Sequence, residues 1–120
     1  MQDMVSEKVE LQLAKRIGKA LAKQRLAKKM TQEHVAELIG VEQETISRFE
    51  RGASLPTLSR LIALADLYQI PLDAVVRAGS SRTLDQANDI AAMLHKLNED
   101  DRIWLHEWVA NVCKKLNSRN

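Results

Sequence analysis

A chain of 120 residues has room for one compact domain, or for one small domain with an appendage. With 45% hydrophobic residues but only 3% aromatic ones, its core must be built from Leu, Ile, Val and Ala, and no window alternates as a strand does, so an all-α fold is expected. The net charge of +2 is too small to argue for a polyanionic partner by itself, the single cysteine, Cys113, excludes an internal disulfide, and no apolar run is long enough for a signal or membrane segment.

These bounds point to a soluble, cytoplasmic protein with no membrane contact. Residues 1–12 read as an N-terminal tail and the start of a first helix, with Ser6, followed by Glu7 and Glu10, as its candidate cap. Leu13, Ile17 and Leu21 then mark a helical stripe. Positive charge is concentrated here: between Lys15 and Lys29 stand seven cations (Lys15, Arg16, Lys19, Lys23, Arg25, Lys28 and Lys29) and no acid. On an isolated helix such a run is a solvated face; beside a DNA-reading element it fits the phosphate row of a duplex.

The stretch TQEHVAELIGVEQETISRFERG, residues 31–52, carries the most information. Thr31 is a good N-cap, Val35, Ile39, Val41, Ile46 and Phe49 are apolar, and two small residues stand where two crossing helices need them. Ala36 allows close backbone approach, and Gly40 supplies a left-handed residue at the first helix end. A second helix beginning near Gln43 places Gln43, Glu44, Ser47, Arg48 and Arg51 on one face, with Ile46, Phe49 and Glu50 turned inward or sideways. A polar, amide- and guanidinium-bearing face near a helix start suits base edges in a DNA major groove. His34 has no ligand-spaced partner and reads as a surface histidine.

This stretch resembles the helix-turn-helix of the phage-repressor family, the lambda repressor- and Cro-like regulators, and the resemblance extends over roughly residues 13–78 as a five-helix DNA-binding domain. It implies that Arg25 pairs with Glu50 while also reaching a backbone phosphate, and that Ala36, Gly40, Ile46 and Glu50 support the motif. It further implies phosphate contacts from Thr31, Gln32, Arg51 and Ser54, and base readout by Gln43, Glu44, Ser47 and Arg48. Geometry suggests Gln43 for adenine and Arg48 for guanine, and for Glu44 either a cytosine amino group or, together with Glu42, only the positive end of the helix dipole. The chain departs from the common pattern at the start of this helix, where Glu42 stands in place of Ser or Thr.

The loop Arg51-Gly52-Ala53-Ser54 is expected to offer its N–H groups to phosphate, and Pro56 to open a fourth helix bearing Leu58, Leu61, Ile62, Leu64, Ala65 and Leu67, mostly for the core. A short fifth helix runs from Pro71 to about Arg77. Gly79-Ser80-Ser81 reads as a hinge, and residues 79–120 as a C-terminal helical hairpin for dimerisation. Thr83 with Gln86 makes a candidate capping box for its first helix, and Asn98 starts the second. Leu94, Trp104, Leu105, Trp108 and Val112 are the candidate dimerisation residues. Two helices cannot bury so broad an apolar set between themselves, so the hairpin packs either on its own head or on its counterpart in a second chain, the latter being expected. Cys113 reads as a small packed residue.

No nucleophile–base pair, phosphate-cradling loop or metal cluster stands out, so no enzyme, cofactor or metal is expected. The resulting expectation is a dimeric repressor that occupies a palindromic operator in double-stranded DNA. The alternative is a protein-interaction module whose tryptophan hairpin captures a toxin or an antagonist, with DNA binding secondary.

Overall fold

In a computed structural model, residues 2–119 are described, with side chains over 7–119. Among the described residues the chain is all helical: α1 (Gln2–Ala27), α2 (Gln32–Ile39), α3 (Gln43–Glu50), α4 (Leu58–Tyr68), α5 (Leu72–Ala78), α6 (Thr83–His95) and α7 (Glu99–Ser118). It divides into two compact units, residues 1–81 and residues 82–120.

The first unit is organised by one repeated device. α1, α2, α3 and α4 are each followed by a residue at positive φ: Lys29 (57°), Gly40 (75°), Gly52 (72°) and Gln69 (57°). In each case the next residue sends its N–H back to the carbonyl five positions earlier, Met30 to Arg25, Val41 to Ala36, Ala53 to Arg48 and Ile70 to Ala65, at 2.9–3.1 Å. Left-handed closure satisfies a carbonyl left orphaned at the helix end and turns the chain sharply into the next element. At Lys29 and Gln69 a side chain adopts a region that favours glycine, a cost borne for the turn. The helix starts are equally local: the Thr31 hydroxyl accepts from the His34 N–H at 3.0 Å, and the Thr57 hydroxyl from Arg60 at 3.3 Å.

These turns fold five amphipathic helices around one core. Ile17 and Leu21 of α1, Val35 and Ala36 of α2, Ile46 and Phe49 of α3, Leu61, Leu64, Ala65 and Tyr68 of α4, and Val75 of α5 are all buried. Burying a large apolar side chain is worth about 1.5–3 kcal/mol, so this cluster is the dominant stabilising term. Gly18 lets α1 and α3 touch backbone to backbone: a Cβ there would lie 2.2 Å from the Phe49 carbonyl oxygen and 2.8 Å from that of Glu50.

Several expectations are corrected. α1 runs through Ser6 instead of starting at it, so residues 2–6 are helical backbone and Ser6 is not the cap; Met1 lies outside the described residues. Pro56 precedes α4, which Thr57 caps. α6 begins at Thr83 with Arg82 at the cap position and no side-chain cap, so the Thr83–Gln86 box does not form. On α4, Leu58 and Ile62 are exposed rather than in the core. Gly79 is buried against Leu13 and Ile17 of α1, where a free hinge was expected.

In the second unit the Asn98 side chain caps α7 by accepting from the Asp101 N–H at 2.8 Å. Neither α6 nor α7 holds a buried residue. Leu84, Ile90, Met93, Ile103, Trp104, Trp108, Val109 and Leu116 are each 41–65% exposed, while Leu94, Leu105 and Val112 are half-buried and Cys113 is exposed. No described helix is long and apolar enough to cross a membrane.

Candidate nucleic-acid interface

α3 is fixed from behind and open in front. Its inner residues, Ile46 and Phe49, are buried, while Gln43, Glu44 and Arg48 are exposed and Ser47 is half-buried. The short helix is held against α2 by Ala36 and Gly40. A left-handed residue is tolerated at Gly40, and Ala36, 3% exposed, leaves room for the crossing.

Glu50 is the hub of the support. Its carboxylate, on a side chain 7% exposed, accepts from Arg25 Nε at 2.8 Å and Nη2 at 3.1 Å, a fork-to-carboxylate pair, and from Gln32 Nε2 at 3.0 Å. Arg25, 13% exposed, uses Nη1 on the Met30 carbonyl at 2.7 Å, which ties the same network to the turn before α2. The hydrogen bond to Glu50 holds the Arg25 guanidinium above its ordinary pKa against the opposing effect of burial. Tyr68 lies near the same pair: burial, then the Glu50 charge, pushes its phenol up to about 12, with Arg25 acting in the opposite direction.

The network continues to the surface. Gln32 Oε1 accepts from Gln43 Nε2 at 3.5 Å, so the exposed Gln43 amide is aimed by a chain of contacts that begins at Met30 and passes through Arg25, Glu50 and Gln32. Sequence reasoning assigned Gln32 to phosphate and missed this link. The only signal for it was the pairing of two amides at the starts of consecutive helices. The Arg48 side chain is exposed and makes no hydrogen bond or ion pair among the described residues.

The far end of α3 differs from expectation. Arg51 folds back along the helix, with Nε donating to Ser47 Oγ at 3.1 Å and Nη2 to Glu44 Oε1 at 2.8 Å. The N–H groups of Gly52, Ala53 and Ser54 donate to the carbonyls of Phe49 and Arg48, so they close α3 and are not free donors for an anion. Ser54 also lines an open groove of ≈ 370 Å³ shared with Glu7 and Glu10 of α1, whose carboxylates make it a poor seat for a phosphate. At the start of α3 Glu42 makes no side-chain cap.

Cations flank the motif on α1 and in the turn that follows it. Lys15, Arg16, Lys19, Lys23, Lys28 and Lys29 are exposed, Lys15 passes directly against Gly52, and Lys28 and Lys29 stand just before Thr31. No group of three or more His, Cys, Asp or Glu placed to hold a metal occurs among the described residues.

A family model described as helix-turn-helix matches residues 21–75. The cryptic phage CTXphi transcriptional repressor RstR of Vibrio cholerae serotype O1 is 29% identical over 86 residues, which cover 72% of this chain and 74% of the relative. Among solved structures, PlcR of Bacillus thuringiensis, crystallised in complex with a peptide and DNA, superposes over 88% of this chain with a TM-score of 0.59 at 23% identity, a likeness of fold. This chain spans 37% of the length of that protein.

Proposed function

We propose that the protein, whose residues 21–75 match a helix-turn-helix family and which is similar to a phage transcriptional repressor, is a sequence-specific regulator of transcription that binds double-stranded DNA as a dimer and represses by occupying its operator. The observation that carries this reading is the exposed face of α3, supported from inside by the Arg25–Glu50–Gln32 network and flanked by unopposed cations on α1.

α3 enters the major groove. Gln43, its amide aimed by Gln32, pairs with adenine, and Arg48 pairs with guanine N7 and O6. Lysines of α1 and the first N–H groups of α2, next to Thr31 and Gln32, meet phosphates on the flank, where the α2 dipole also favours an anion. Arg25 contributes mainly through Glu50, because its donors are already directed at Glu50 and Met30. The chemistry is occupancy: no bond is made or broken.

A second copy supplies the second half-site. α6 and α7 hold no fully buried residue, and helices with broad exposed apolar faces gain most of their stability from a partner. Trp104 and Trp108, one turn apart, are the centre of the dimer contact, with Leu94, Leu105 and Val112 around them. Half-sites then lie about 34 Å apart, or a multiple of it.

Selection of bound duplexes from a random pool tests the reading. A palindromic motif with a steep salt dependence is expected, and Arg48→Ala should weaken binding by ~1–3 kcal/mol while relaxing one position per half-site. Indifference of the wild-type protein to every duplex at low salt would end the proposal.

A further inference from the structure

The arginine at the end of α3 is placed for a role different from the phosphate contact expected of it. Arg51 stands where α3 ends, and an extended side chain there would point toward the flank of a groove. Instead its guanidinium is drawn back over the outer face by Ser47, one turn earlier, and by Glu44, two turns earlier. These three residues lie within the same arc of the helix as Gln43 and Arg48.

The two contacts also fix which donors remain. Nε and Nη2 share one edge of the guanidinium plane, and that edge is occupied, Nε by the Ser47 hydroxyl and Nη2 by the Glu44 carboxylate. A guanidinium has five N–H donors, so the opposite fork, formed by Nη1 and the second Nη2 hydrogen, is left open. Two parallel donors at that spacing match the N7 and O6 acceptors of guanine in the major groove. Glu44 offsets the positive charge of Arg51 and places a carboxylate beside it. That weakens any charge-driven attraction to phosphate, while the direction of the donors is kept.

We propose that Arg51 is a base reader for guanine and that Glu44 and Ser47 are its positioning residues. This rests on α3 being the helix that faces the bases. It reassigns Glu44 from a direct contact with cytosine to a buttress, and gives the far half of α3 a letter to read in addition to those of Gln43 and Arg48.

The test uses the full chain, the selected operator and a panel of single base-pair variants. Arg51→Lys keeps the charge but removes the fork, and because the side chain is 58% exposed the variant should melt like wild type. The expected result is a loss of preference at one guanine per half-site, by roughly 5- to 150-fold, with the salt slope unchanged. Glu44→Ala should lose preference at the same base pair, and the double variant should lose little more than either alone. Equal weakening on every duplex, or a loss at that base pair from Glu44→Ala but not from Arg51→Lys, would overturn the assignment while leaving the DNA-binding reading intact. A wild-type protein without preference among duplexes would remove both.

Discussion

Tyr68 shows how the interior and the interface share one piece of electrostatics. The phenol is 1% exposed in the core and lies within the field of the Arg25–Glu50 pair. Its pKa rises from 10.0 to about 12 on folding, so between those values the folded state holds a proton that the unfolded chain has released. Stability from this group is therefore complete below pH 10 and is lost as pH rises toward 12, by an amount on the order of 2 kcal/mol. Tyr68→Phe should flatten that alkaline limb in denaturant titrations between pH 9 and 12. An unchanged pH dependence would place the titration elsewhere. Much of this was invisible in the sequence. A tyrosine at the end of an apolar helix reads as core, but its link to Glu50 depends on packing between α1, α3 and α4. By contrast Arg25 and Glu50, with chemistry suited to each other, could be paired through the family resemblance. Arg51 could be placed on the outer face by periodicity alone. Its fold toward Glu44 depended on a side-chain torsion that no periodicity encodes.

At the scale of the element, α1, α2 and α3 are tied by short local rules and one tight crossing. The α2–turn–α3 geometry was legible because its determinants are sequence-local: Thr31 at the cap, Ala36 at the approach, Gly40 at positive φ. The closures at Lys29 and Gln69 were not, since neither residue type advertises a left-handed conformation. Nor was the role of Gly18, one small residue in a cationic helix that only the path of α3 makes indispensable. A methyl group there meets backbone carbonyls that cannot rotate away, so α1 and α3 must separate. Gly18→Ala should cost about 2–3 kcal/mol, a fall in Tm of roughly 10 °C or more, and should weaken DNA binding more than its helix content would suggest. Thermal melting together with operator titration measures both. A variant as stable as wild type would show that the crossing is looser than described.

For the whole molecule, the question is what the second unit does with its apolar surface. Fold class and helix order were readable because amphipathic periodicity survives without tertiary context. The partner of α6 and α7 was not, because an apolar stripe records that it is to be covered and says nothing of the cover. The proposed dimer has a direct test. Trp104 and Trp108 are 65% and 53% exposed, so replacing both with Glu removes little from the chain's own packing. The double variant should sediment as a monomer while the core of residues 1–81 still melts cooperatively, and operator affinity should fall by two orders of magnitude or more, on the order of what linking two half-sites contributes. A variant that remains dimeric would assign the contact to another surface.

The separation between Glu50 and the residues it supports bears on how such a protein diversifies. Fastening occurs on the inward side of α3, through the part-buried Arg25–Glu50 pair, whereas Gln43 and Arg48 contribute almost nothing to the core. Substitutions at those two outward positions can drift freely without endangering the fold. Under the proposed function, one scaffold can thus acquire new genomic addresses by changing a few letters, and descendants with divergent targets should still share the same hidden carboxylate.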